Sequence, residues 1–281
     1  MKGLSNHGNT CYFNACLQCL MQIPSLSNYF ITTGYKGNCE FTHEYMNIVK
    51  NYWTNKSSNM ENPGKLLDIF KKYYKHFDNS QQHDAQEVMV NILDLLHKGT
   101  KTREIINPRM VKNNEWDLKS KSLIKELFVG QIEKKIIYPQ GESVTRENCT
   151  HLMFTPLRHT TLEELMEEMH KDEVIEGYQD HSGKTHRVAV MKHQFINRPS
   201  VLIMCFNMFV KKVNVKLPVI WEDYKLIACC LHMGSTRSGH YVAFTLHKGK
   251  WYLKDDESVR EMNPNLNNQY YFCVYKKLTR I

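Results

Sequence analysis

The chain reads as an α+β protein, a helical first part followed by a β-rich remainder. Three observations support this class. Apolar residues recur at helical spacing through the first hundred or so residues, most clearly at Val88, Ile92, Leu95 and Leu96. From Val201 onward come short β-prone runs separated by turn residues. The length of 281 residues, 42% of them hydrophobic, suffices for a substantial core and favours one elaborate domain with subdomains.

Taken in order, the first element is a helix opening at Cys11 and carrying the apolar run Tyr12, Phe13, Ala15, Cys16 and Leu17, with Thr10 placed as its N-cap. Pro24 and the stretch Ser25 to Asn28 end that periodic segment. Tyr45 to Trp53 and Leu66 to Tyr74 have the pattern of two shorter helices across a polar linker, Asn55 to Asn62. Asp84 with Glu87 three positions later has the form of a capping box, and the amphipathic helix it opens runs to Gly99, expected as its stop. From Leu127 the character changes: Val129, Ile132, Ile136 and Ile137 stand apolar among polar and basic neighbours, and Pro139 and Gly141 follow as turn residues, a pattern that suggests strands. Leu162 to Met169 is a Glu-rich surface helix. Val201 to Phe206 is a continuous apolar run of the kind buried on both faces, and Tyr224 to Leu231, His240 to Leu246, Lys250 to Leu253 and Tyr270 to Lys276 complete the β-rich part.

Composition excludes several classes. The formal charge of +8 permits a nucleic-acid partner, but the lysines fall in scattered pairs (Lys71-Lys72, Lys134-Lys135, Lys211-Lys212, Lys276-Lys277) with no arginine-rich stripe, which describes a solvated face. Nine cysteines is an odd number, and no CxxC is matched by a second CxxC or a HxxxH partner, which indicates a reducing compartment rather than a disulfide framework. No uncharged apolar run reaches membrane-spanning length, and polar Ser5 to Thr10 replace the apolar core of a signal peptide. A soluble intracellular protein, cytoplasmic or nuclear, is expected.

The chemistry concentrates in two segments. In the first, Gly3 to Thr10 form a glycine-bearing turn that delivers Cys11 to a helix start, where the positive end of the helix dipole lowers a thiol pKa. A lone cysteine is more often a small buried hydrophobe, but Asn6 on the same turn carries an amide able to donate to an oxyanion beside the sulfur. In the second, Gly239 precedes His240 at the head of an apolar strand, and Asp255 and Asp256 follow the next strand, where a hairpin returns a carboxylate to the ring. The order Cys, His, Asp with the cysteine near the start suits papain-like catalysis: the histidine takes the thiol proton and the carboxylate orients the ring.

These residues match a family. Gly3-Leu4-Ser5-Asn6-His7-Gly8-Asn9-Thr10-Cys11-Tyr12-Phe13-Asn14 resembles the cysteine box of the ubiquitin-specific proteases, and Gly239-His240-Tyr241 with Trp251 to Asp256 resembles their histidine box. Gln82 to Glu87 resembles their middle motif, and the likeness continues through Leu217-Pro218, Tyr224, His232 and Gly234. The resemblance implies a papain-like fold over residues 1–281, with a helical thumb over about 1–120, reduced fingers over 121–195 and a β-rich palm over 196–281. It also implies hydrolysis of the isopeptide or peptide bond after the C-terminal glycine of ubiquitin by a monomer acting on ubiquitin or ubiquitinated proteins. Carried over by position, Cys11 is the nucleophile, His240 the general base, Asp255 the orienting acid and Asn6 the oxyanion donor, with Asp256 assisting. Gln82, Asp84, Glu87 and His232 line the channel for the arginine-bearing ubiquitin tail. A protease for a ubiquitin-like modifier and a catalytically silent ubiquitin-binding module are the alternatives. Many family members hold a structural zinc with two CxxC pairs in the fingers; here the corresponding stretches are Tyr138-Pro139-Gln140-Gly141 and Tyr178-Gln179-Asp180-His181. Cys149, His151, His181 and His186 have irregular spacing for a replacement site, so neither a metal nor a cofactor is expected.

Overall fold

The computed structural model describes residues 1–56, 60–79, 81–102, 120–234 and 238–278. The chain begins with β1 (Gly3–Leu4) and α1 (Cys11–Met21), then α2 (Pro24–Asn28), which runs directly into a π-helical turn, Tyr29–Thr33. There follow α3 (Glu40–Thr54), β2 (Met60–Glu61), α4 (Gly64–Tyr73), a 3-10 turn at Lys75–Phe77, α5 (Ala85–Thr100) and α6 (Leu123–Phe128). All residues of α1 are buried, because it lies between α5 on one side and the main sheet on the other.

The strands divide into two principal sheets. β3 (Gly130–Tyr138), β4 (Gly141–Cys149), β7 (Glu173–Gln179) and β8 (Thr185–Asn197) form a four-stranded antiparallel sheet in the order β4-β3-β8-β7, over the region expected as reduced fingers. Between β4 and β7 lie β5 (Leu152–Phe154), β6 (Thr160–Thr161) and α7 (Leu162–Met169). The remaining strands are β9 (Val201–Phe206), β10 (Val215–Lys216), β11 (Ile220–Trp221), β12 (Tyr224–Gly234), β13 (Gly239–His247), β14 (Lys250–Asp255), β15 (Ser258–Glu261), β16 (Asn267–Asn268) and β17 (Tyr270–Lys277). The main sheet runs β15-β14-β13-β12-β17-β9-β5, with β11 paired to β12, and is antiparallel except for the β5–β9 pair. β9 is buried at every position, as its unbroken apolar run requires for an interior strand.

Several boundaries differ from the sequence expectation for identifiable reasons. Gly99 does not stop α5 but sits in its last turn, because a Cβ there would lie 2.0 Å from the Thr42 hydroxyl: the glycine permits the close approach of α5 to α3. Leu127 belongs to α6, whose N-cap Ser122 accepts from the Lys125 amide at 3.0 Å; the strand starts only at Gly130. The linker Asn55 to Asn62 contains β2, which pairs in parallel with β1. Thr10 occupies the N-cap position of α1 without capping it, since its hydroxyl accepts from the His7 amide at 2.9 Å and donates to Asn6 Oδ1 at 3.1 Å. At α5, Asp84 Oδ1 accepts from the Gln86 and Glu87 amides at 2.7 and 3.4 Å, but the Glu87 carboxylate turns to His76 Nε2 at 2.8 Å and the box is not reciprocal.

Candidate functional site

The turn before α1 is held by one side chain. Gly8 and Asn9 have φ of 84° and 53°, the left-handed region that glycine and asparagine tolerate best. Asn6 Oδ1 accepts from the Gly8 amide at 2.9 Å, the Thr10 amide at 3.2 Å and the Thr10 hydroxyl at 3.1 Å, closing the turn on itself. Cys11 follows as the first residue of α1, 2% exposed. Burial raises its thiol pKa, hydrogen bonding to the Tyr241 backbone lowers it, the Asp256 carboxylate raises it, and backbone groups of Tyr12 and Cys11 lower it. The net direction is upward, opposite to what the helix start alone implies, because desolvation of the thiolate outweighs the amides at the helix N-terminus.

The bond to Tyr241 places the sulfur beside the residue that follows His240. β13 and β14 pair antiparallel with Ala243 opposite Lys254, which returns the end of β14 to the head of β13. There His240 Nε2 and Asp255 Oδ1 are 2.6 Å apart. The side chains are 37% and 40% exposed, too open for the pair to contribute much stability; its effect is to fix the ring. With Nε2 committed to the carboxylate as donor, Nδ1 is left to accept a proton. Nitrogen and carboxylate oxygens of His240, Asp255 and Asp256 all lie within 4.8 Å of one another.

Asp256 links this hairpin to the cysteine turn. It stands in the two-residue connection to β15 with φ of 47°. Its Oδ2 accepts from Asn6 Nδ2 at 2.6 Å and its Oδ1 from Asn14 Nδ2 at 2.7 Å, so one carboxylate clamps two amides. The Asp256 carbonyl accepts from the Leu4 amide at 2.8 Å, and Glu257 Oε1 accepts from the Asn6 amide at 2.6 Å. A Cβ on Gly3 would lie 2.1 Å from the Glu257 carbonyl oxygen, so only glycine lets the hairpin approach this closely. Asn14, Glu257 and the need for Gly3 are absent from the sequence-derived set. The readable signal was Asn14 itself, a polar residue one turn beyond Cys11 in a largely apolar helix.

The four residues expected to bind the substrate tail fall into two kinds of position. Gln82 spends its amide on Gly239: its Nε2 donates to the Gly239 carbonyl and its Oε1 accepts from the Gly239 amide at 2.6 Å, tying the segment before α5 to the residue before His240. His232 packs against Tyr241 with ring centroids 4.5 Å apart and covers Gly239, where a Cβ would meet its Nε2 at 2.2 Å. Burial, then Lys212, lowers its pKa. Asp84 and Glu87 instead border an open cleft of about 350 Å³ with Gln86, Met153, Asn207 and Phe209.

At the tip of the four-stranded sheet, His186 Nε2 meets Asp180 Oδ2 at 2.7 Å under the rings of Tyr138 and Tyr178, whose centroids lie 4.5 and 6.3 Å from the imidazole. Hydrogen bonds from Ser182 and His186 hold the Asp180 carboxyl far below the usual range. Cys149 pairs with Gly130 at the opposite end of the sheet, with His151 two residues further on, so the four residues considered for a metal are not brought together.

The family model for ubiquitin carboxyl-terminal hydrolases matches residues 2–222 and 207–275. The chain belongs to this family. Ubiquitin carboxyl-terminal hydrolase 25 of Arabidopsis thaliana is 22% identical over 294 residues, covering 92% of this chain and 44% of the relative. Usp2 of Drosophila melanogaster is 26% identical over 327 residues, covering 98% of this chain and 34% of that protein. This ubiquitin carboxyl-terminal hydrolase domain thus spans less than half the length of either relative. The SAGA Ubp8/Sgf11/Sus1/Sgf73 DUB module bound to ubiquitin aldehyde contains a chain that superposes with a TM-score of 0.80 at 21% identity, covering 99% of this chain and 70% of that one. The shared fold is the papain-like one.

Proposed function

We propose that this hydrolase-family chain is a thiol-dependent deubiquitinase that cleaves the isopeptide or peptide bond after the C-terminal glycine of ubiquitin. The observation that carries the reading is the convergence of Cys11, at the start of a buried helix and bonded to the backbone of Tyr241, on a His240 ring fixed by Asp255 at 2.6 Å. Family membership and the likeness to a DUB module bound to ubiquitin aldehyde support ubiquitin as the partner.

In this reading His240 Nδ1 takes the proton of the Cys11 thiol, and the thiolate adds to the carbonyl carbon of the terminal glycine. The resulting oxyanion receives an N–H from Asn6, whose other amide hydrogen is already engaged by Asp256. The imidazolium returns the proton to the leaving amine, and water, deprotonated by the same ring, releases the acyl group from sulfur. Asp84 and Glu87 present carboxylates to the arginine-bearing tail from the cleft they border, while Gln82 and His232 hold Gly239, the residue before His240. In the same proposal the helical part is the thumb, the four-stranded sheet the fingers, and the main sheet the palm of a monomer acting in a reducing intracellular compartment. No described helix is long and apolar enough to cross a membrane.

The test is covalent labelling by a ubiquitin C-terminal electrophile, with hydrolysis of a ubiquitin–fluorophore conjugate in reducing buffer. Labelling that Cys11→Ala abolishes is expected, and labelling that survives the substitution refutes the assignment. Preferential labelling by a ubiquitin-like modifier moves the substrate class, and binding without turnover leaves only a ubiquitin-binding module.

A further inference from the structure

Lys254 immediately precedes Asp255 on β14, yet its side chain is turned into the protein and is 2% exposed. Its Nζ donates to the Tyr52 hydroxyl at 3.1 Å and to the Lys2 carbonyl at 3.4 Å. The Tyr52 hydroxyl in turn donates to Gln18 Oε1 at 2.9 Å, and Gln18 Nε2 donates to the same Lys2 carbonyl at 3.0 Å. The four groups close a polar ring behind the catalytic centre. Each member sits on a different piece of the site's scaffold: Lys254 beside the histidine-orienting acid, Gln18 about two turns along α1 from Cys11, Lys2 on the segment leading to Asn6, and Tyr52 on α3.

A lysine is a costly choice for this position. Burial draws its pKa down to about 7, and an apolar side chain of the same length would fill the space without that cost. Among the described residues no acid neutralises it. Lys2 turns its own Nζ to Glu61 and to the Asn51 carbonyl, and the Tyr52 and Tyr252 rings lie 5.7 and 5.8 Å from Nζ. Lys254 also contributes to lowering the pKa of the Met1 amine and of His247, so the nearby titratable groups of the chain start and of β13 are repelled by its charge. What the lysine provides that an apolar residue cannot is a pair of directed bonds across the ring.

We infer that Lys254 is a positioning residue, which sets the register of the Asp255 strand against the Cys11 helix and so aligns the imidazole with the thiol. The inference rests on the proposed thiol mechanism but not on the identity of the modifier. Its test is the rate at which iodoacetamide alkylates Cys11 in the folded protein, read from the Cys11 peptide by mass spectrometry between pH 6 and 9. This is compared in wild type, Lys254→Met, Tyr52→Phe and the double variant, with kcat and KM on a ubiquitin–fluorophore conjugate measured in parallel.

Both single variants are expected to slow alkylation of Cys11 about tenfold, the scale of a misalignment below 1 Å, and to lower kcat with KM unchanged. The double variant should fall little further, since both changes open the same ring. Tyr52→Phe alters no charge at neutral pH, so its effect separates alignment from the loss of a nearby cation. Wild-type alkylation rates in folded Lys254→Met overturn the inference. Should that variant not fold, the near-isosteric Tyr52→Phe decides by the same criterion. A wild-type protein that alkylates rapidly at Cys11 but leaves ubiquitin conjugates intact refutes the proposed substrate and leaves the alkylation comparison valid.

Discussion

Replacing Lys254 by Met should stabilise the protein in acid and lose that advantage in mild alkali. In the folded state burial holds this amine at about 7, against 10.5 in the unfolded chain. Between those values the unfolded chain binds a proton that the folded chain has shed, so wild-type stability rises with pH across the window and is lowest at or below pH 7, where the folded protein carries the buried charge. The gap between 10.5 and 7, at about 1.36 kcal/mol per pH unit, gives a ceiling of about 5 kcal/mol. Against this, Met forfeits the bonds to Tyr52 and Lys2, at about 1 kcal/mol each. Lys254→Met should therefore be more stable than wild type by about 3 kcal/mol at pH 6, with the difference vanishing near about pH 9. Urea unfolding followed by tryptophan fluorescence at pH 6, 7, 8 and 9 measures it. A stability difference that is the same at every pH, or a variant less stable than wild type at pH 6, refutes the placement of an uncompensated amine at this site. A variant both more stable and less reactive would be a case of stability given up for function.

Gly3→Ala should cost about 1–3 kcal/mol by forcing the Glu257 carbonyl away, and should lower kcat by moving the hairpin that carries Asp255 and Asp256; a wild-type melting temperature and kcat would contradict the close approach. Asn6→Ala should reduce kcat by about 10²–10³-fold with a small change in KM, whereas Asn14→Ala, which leaves the Asp256 clamp with one arm, should reduce it less; rate measurements on both variants test the order. Since burial raises the Cys11 thiol pKa, alkylation of the free protein should accelerate with pH beyond the usual thiol midpoint, and a profile already flat at neutral pH would contradict that direction. Asp180→Ala should speed hydrogen exchange in residues 178–186 while leaving Cys11 alkylation at the wild-type rate, because the clasp belongs to a different sheet from the one that carries His240 and Asp255; unchanged exchange would show that the rings alone hold the tip.

The elements that carry chemistry were legible because each combines a residue of distinctive reactivity with a local signal: glycines before Cys11, a glycine before His240, a carboxylate pair after the following strand. The residues that hold them in place were not. Asn14 and Gln18 interrupt an apolar helix, and what they meet, the Asp256 carboxylate in a distant hairpin turn and the Tyr52 hydroxyl on α3, is tertiary and not encoded in local periodicity. Lys254 was harder still. A charged residue beside two aspartates reads as surface, and its burial follows only from the antiparallel register that turns it toward α1 and α3. Short helices such as α2 and α6 span too few turns to establish a period, and Gly99 carried the sign of a helix end because its real constraint, contact with Thr42, is tertiary.

The complete burial of α1 has a consequence for how such a sequence can change over time. An ordinary surface helix keeps an outward face on which substitutions accumulate freely; α1, enclosed by α5 and the main sheet, has none. Drift along it must proceed by matched exchanges, a larger residue here answered by a smaller one on β13 or α5. The segment should therefore remain alignable among distant descendants after the peripheral loops have become unrecognisable.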